Sequence, residues 1–139
     1  MIGPNVTIGD RTVIHGNVTI LDESEIGADC VVWPGVVIRE RCQIGNGCTL
    51  HPNAAIGADG FGYRKSPDGR GVVKIPHIGS VIIGCNVEIG AGTCVDRGKF
   101  SATRIDDGTK IDNLCQIAHN CHIGRACLIA GGSALAGTV

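Results

Sequence analysis

A chain of 139 residues, 43% apolar but only 3% aromatic, suits one domain whose interior is filled by branched and small side chains instead of rings. A net charge of −1 without a basic cluster lacks the footprint of a nucleic-acid binder. No apolar run reaches the roughly 18 residues that argue for a membrane span, and no charged-then-apolar leader opens the chain.

From the start, an aliphatic side chain recurs at every sixth position: Ile2, Ile8, Ile14, Ile20, Ile26, Val32, Ile38, Ile44, Leu50 and Ile56. Two residues before most of them stands a smaller one, among them Val6, Thr12, Val18, Ser24, Cys30, Val36, Cys42, Cys48 and Ala54. A period of six fits neither a helix nor a long flat strand. It fits short strands parted by corners, with the small residue and the following aliphatic pointing the same way. Glycine often follows the aliphatic, as at Gly3, Gly9, Gly27 and Gly45, and is expected to mark the tight turns. Coils stacked at about 4.8 Å would align these side chains into apolar columns.

Residues 58–80 break the pattern with Gly60, Gly62, Pro67, Gly69, Gly71 and Pro76, which predicts a loop thrown out from the coil. The phase resumes at Ile83, Ile89 and Val95, slips by a four-residue insertion, and continues through Ile105, Ile111, Ile117, Ile123, Ile129 and Leu135. The whole chain, 1–139, therefore reads as a single all-β solenoid domain. It begins and ends in phase without a polar cap, which predicts a piece of a longer protein. Several of the eight cysteines fall at inward small positions, and no C-x-x-C pair occurs. They are expected to be free apolar thiols in a reducing cytosol, with no metal site.

Repeats of the form Ile-Gly-x-x-small-x resemble those of the hexapeptide acyltransferase superfamily. The resemblance implies a left-handed parallel β-helix, a triangular prism with three repeats per coil and so about six coils, although general connection rules favour the right hand. Four segments narrow it: Gly57-Ala58-Asp59-Gly60-Phe61-Gly62-Tyr63, Lys74-Ile75-Pro76, Asp96-Arg97-Gly98, and Ile111-Asp112-Asn113-Leu114-Cys115-Gln116-Ile117-Ala118-His119-Asn120. Together they resemble the UDP-3-O-acylglucosamine N-acyltransferases of lipid A biosynthesis. That resemblance implies transfer of a 3-hydroxyacyl group from an acyl carrier protein thioester to the amine of a UDP-sugar, with no bound cofactor, in a cytoplasmic homotrimer.

Such a transfer needs a base for the attacking amine and donors for the oxyanion. None of the five histidines, His15, His51, His77, His119 and His122, lies on an inward column, so all are expected at the surface. By resemblance His119 is the base and Asp112 its acidic partner, while His122 remains a surface residue. One 18-residue coil beyond His119 stands Gly137, where the family also has a glycine; its N–H is expected to serve the oxyanion. Phe61 and Tyr63 are expected to cover an acyl chain or a neighbouring subunit, and Gln116 and Asn120 to hydrogen-bond substrate amides. The alternatives are another hexapeptide acyltransferase using acyl-CoA, a non-catalytic structural solenoid, and a metal-dependent protein resembling γ-type carbonic anhydrases. For the last, His119 and His122 lack a third histidine one coil away in phase.

Overall fold

The computed structural model describes residues 1–139 and contains strands and turns only. Three parallel sheets of six strands each form the sides of a prism, and a two-stranded antiparallel hairpin projects from it. Strand partners in the first half lie 18 residues apart, as in Ile8 with Ile26, Ile14 with Val32 and Ile20 with Ile38. One coil is thus three repeats, as the family resemblance implies, and the fold is the expected left-handed parallel β-helix of about six coils.

The aliphatic positions stack as columns inside. Ile20, Ile38, Ile56, Val95, Ile117 and Leu135 run through one sheet, and all but Leu135 are fully buried. The small column beside them carries a second function. Ser24, Thr93 and Thr109 are buried, yet each hydroxyl donates to a carbonyl at the next corner, Arg39, Asp112 and Gly124 respectively, at 2.7 Å. Each also accepts the N–H of a cysteine one coil on. Buried hydroxyls persist there because they are fully satisfied. Cysteines in this column do the same more weakly, as when Cys121 Sγ donates to Ala136 O at 3.1 Å. All eight cysteines are free thiols.

Except for Gly57, with a φ of 90° where the chain is about to leave the prism, the glycines that follow the aliphatics do not bend the corners by a left-handed backbone. That conformation falls two residues later, at Asn5, Arg11, Asn17, Glu23, Asp29, Gly35, Arg41, Gly47 and Asn53, with φ between 58° and 81°. Most of these are not glycine, and asparagine and aspartate tolerate the strain best. Gly9 is instead required by the neighbouring coil: a Cβ there would fall 2.5 Å from the Ala28 nitrogen. Coil-to-coil spacing, not turn geometry, selects glycine at that place.

The interruption leaves the prism after the strand Ala55–Ala58 and rejoins it at Ser80–Ile83, inside the predicted bounds. In between, Tyr63–Lys65 pairs antiparallel with Val72–Lys74. Ile44 then pairs with Ile83 in unbroken phase. The four-residue insertion lengthens the next coil, so that Val95 pairs with Ile117. A chain of ionic contacts fastens the loop. Arg97 is 1% exposed and donates to Gly57 O at 2.7 Å, to Glu40 Oε1 at 3.0 Å and to Glu40 O at 3.0 Å. Arg39 bridges Glu40 to Asp59, and Asp59 holds Lys74 of the hairpin at 2.7 Å. The three guanidinium nitrogens of Arg97 thus together tie the base of the loop to Glu40, which explains why this segment carries an arginine and not a lysine.

Candidate active site

His119 stands at the corner that follows the strand Gln116–Ile117. As the coil length predicts, Gly137 lies directly over it: a Cβ on Gly137 would come within 2.5 Å of His119 Nε2 and 2.7 Å of Cε1. The Thr138 N–H donates to His119 O at 2.9 Å, whereas the Gly137 N–H has no acceptor within the chain.

The tautomer of His119 follows from its neighbour. Asn120 Oδ1 accepts the Lys99 N–H at 3.0 Å and its Nδ2 donates to Ser101 Oγ at 3.0 Å, which fixes the amide's orientation. The 3.0 Å contact between that same oxygen and His119 Nδ1 therefore places the ring proton on Nδ1. Nε2 is thereby turned to Gly137, and in the neutral ring it carries the lone pair that a general base needs. Asn120, expected to bind substrate, is instead committed to the protein: it orients the histidine, and its left-handed φ of 62° lets it do so.

Asp112 does not reach His119. Its carboxylate oxygens accept the N–H groups of Asn113 at 2.8 Å and Gly131 at 3.0 Å. It lines a separate cleft with His51, Glu88 and Lys110. Seven residues span a whole repeat, so the chain turns a corner of the prism between Asp112 and His119 and the two face different ways.

The acid that the fold brings to His119 is Asp96, 7% exposed. Gln116 Nε2 donates to its Oδ2 at 2.7 Å, so Gln116 too acts first on a protein group. Burial raises the Asp96 pKa, while the Gln116 hydrogen bond and the nearby imidazoles of His119 and His77 oppose the rise.

His77 corrects the expectation that every histidine lies at the surface; it is 6% exposed. Its Nδ1 donates to Ile75 O at 2.9 Å, and its Nε2 is the one buried side-chain nitrogen or oxygen in the chain without a partner. The ring meets His119 edge to face, with centroids 5.1 Å apart and planes at 63°. Gly60 makes this contact possible, since a Cβ there would fall 2.7 Å from His119 Cβ and 2.8 Å from His77 Nε2. The remaining histidines are peripheral. His15 stacks on Trp33 at 4.5 Å, His51 bonds Glu88 at 2.7 Å, and His122 bonds Asp106 at 2.9 Å. No group of three or more histidines, cysteines or carboxylates is placed to hold a metal ion.

Two cavities meet at His119 and share Phe61. One, of about 590 Å³, is walled by the loop through Phe61, Tyr63, Val72 and Ile75, with His77 and Lys99. The other, of about 630 Å³, is lined by Asp96, Gln116, Leu135 and Gly137. Phe61 is 85% exposed and touches Tyr63 edge to face at 5.1 Å, so both aromatics stand outside the prism core, as expected. Asp96 and His77 were not assigned from sequence. Asp96 lies in a segment that carries the family resemblance, but only the stacking across the four-residue insertion reveals what it faces. Nothing local marks His77.

The family model for the bacterial transferase hexapeptide (six repeats) matches residues 23–58 and 102–137. A UDP-3-O-acylglucosamine N-acyltransferase 1 of Francisella tularensis subsp. holarctica is 51% identical over 120 residues, covering 78% of this chain and 35% of the relative. A UDP-3-O-acylglucosamine N-acyltransferase of Polynucleobacter asymbioticus is 46% identical over 110 residues, with 78% and 31% covered. The chain thus spans about a third of the length of the curated relatives it matches. Among solved structures, the UDP-N-acetylglucosamine acyltransferase from Campylobacter jejuni superposes with a TM-score of 0.82 at 25% identity, over 98% of this chain and 51% of that one. The unbroken six-residue columns and the family model together show that the chain belongs to the bacterial transferase hexapeptide family.

Proposed function

We propose that the chain is the catalytic core of an N-acyltransferase of lipid A biosynthesis, moving a 3-hydroxyacyl group from an acyl carrier protein thioester to the 2-amine of a UDP-3-O-acylglucosamine. One observation carries the reading: an imidazole whose Nδ1 is held by Asn120 turns Nε2 toward Gly137, whose N–H is unpaired, where two cavities meet. His119 Nε2 takes a proton from the attacking amine. The Gly137 N–H donates to the oxyanion that forms at the thioester carbon, and the collapsing intermediate expels the carrier thiolate, which recovers the proton from His119. Asn120 keeps the imidazole in the productive tautomer, as a carboxylate or amide does in other histidine-dependent enzymes. Phe61, Tyr63, Val72 and Ile75 offer apolar surface for the acyl chain. No resident cofactor takes part; the thioester is a co-substrate. The reading places the enzyme in the cytoplasm as a homotrimer whose clefts the loop helps to close.

The test is turnover by wild type and His119→Ala, followed as thiol released from a 3-hydroxyacyl carrier protein. Loss of the base is expected to lower kcat about 10²–10⁴-fold. Unchanged turnover in the variant removes the histidine from the mechanism. Replacing the carrier by acyl-CoA at equal concentration separates the two donor classes.

A further inference from the structure

Asp96 is a carboxylate without a cation. It is 7% exposed, and its only hydrogen-bonding partner is the neutral amide of Gln116, on Oδ2. No arginine or lysine pairs with it, and the guanidinium of the neighbouring Arg97 is turned to Gly57 and Glu40 instead. Buried carboxylates are ordinarily paired, because desolvating the charge costs several kcal/mol per ion unless an opposite charge offsets it. Asp96 Oδ1 accepts nothing from the chain, and the residue lines the cavity that also holds His119 Nε2 and the Gly137 N–H.

We propose that Asp96 is the binding site for the protonated amine of the acceptor, so that the ligand supplies the missing cation and the site selects an amine over a hydroxyl. The inference rests on the acyl-transfer reading above for its ligand class, an amino sugar, but not on the identity of the base. An alkyl amine is largely an ammonium ion near neutral pH and cannot attack until it loses a proton. At Asp96 the ammonium gains a charge-assisted hydrogen bond and passes one proton to the carboxylate, which releases it to water. The free amine then forms the C–N bond, and the C–S bond breaks as the tetrahedral intermediate collapses. The second nitrogen proton moves to His119 Nε2 and on to the leaving thiolate. One amide, one thiol and one proton result. Burial of Asp96 raises its proton affinity, which eases the first of these transfers. A hydroxyl acceptor carries no charge to offer, so it leaves the carboxylate unpaired and binds more weakly.

The probes are glucosamine and glucose, identical except for the amine, titrated into the whole chain and followed by NMR shifts of its amides near residues 96, 116 and 119. Wild type is expected to bind glucosamine about tenfold or more tightly than glucose at pH 6.5, the preference fading as the amine deprotonates. Asp96→Asn, which keeps the shape and an oxygen for Gln116, is expected to abolish the preference. Equal affinity of wild type for the two sugars overturns the proposal, and so does a preference that survives in Asp96→Asn. The wild-type comparison needs no variant and stands even if the substitution unfolds the chain. His119→Ala is expected to retain the preference while losing turnover; turnover intact with the preference present sinks the base and leaves Asp96 in place.

Discussion

Gly137→Ala tests the site most sharply, because one methyl group separates folding from catalysis. The glycine's φ lies outside the left-handed region, so alanine adopts its backbone without strain. The new Cβ would nevertheless fall 2.5 Å from His119 Nε2 and 2.7 Å from Cε1, with nothing else as close. An ordinary contact needs about 3.5 Å or more, so the imidazole must yield by about an ångström. Displacements of that size at a reacting group cost about 10²-fold in rate, whereas a substitution this near the surface changes stability by about 0.5 kcal/mol or less. The expected result is a fall of about 10² in kcat for thiol release, with the urea midpoint unchanged. Gly124→Ala is the matched control: nothing lies within 4 Å of its Cβ and its φ is also ordinary, so it should behave as wild type. Full activity in Gly137→Ala would refute the argument that the glycine exists to leave room for the base. So would a loss of stability comparable to the loss of rate.

Two further outcomes follow from the ionic anchor of the loop. Arg97→Met removes all three hydrogen bonds, leaving the buried Gly57 and half-buried Glu40 acceptors short of a donor and Glu40 with Arg39 as its one remaining cation; a loss of about 1–3 kcal/mol in urea unfolding is expected, and a loss below about 1 kcal/mol would show that the network contributes little. Asp59 has its pKa lowered, first by the Lys74 hydrogen bond and then by Arg39. A depressed folded-state pKa stabilises above the unfolded value, about 3.9, and the contribution vanishes as pH falls through the folded one. Amide exchange across Tyr63–Lys74 should therefore accelerate relative to the prism strands below about pH 4, and equal protection of loop and prism through that range would count against the anchor.

Much of the architecture was legible because a strict period is long-range information in local form. Six-residue spacing implies strands, corners and inward columns, and three repeats per coil place residue 137 over residue 119 by counting alone. The thiols in the small column could be assigned to the interior on the same ground. Counting fails where side chains choose among partners or where the period is interrupted. Asp112 is close to His119 in sequence, but a corner of the prism turns it away, and its carboxylate finds two backbone N–H groups instead. Asn120 looked available for substrate, yet Lys99 and Ser101 from the preceding coil and the adjacent His119 claim its amide.

The repeat by itself thus determined the inward columns and the bounds of the loop, since both depend only on phase, and with the three-repeat coil that the family resemblance implies it also placed Gly137 over His119. Tertiary structure alone decided that Asp96 and His77 face the base. Both lie next to segments that break the phase, and the return path of the chain across the loop and the four-residue insertion sets what they meet. It also decided the role of the glycines, because the crowding of one coil on the next is a distance that no single repeat contains.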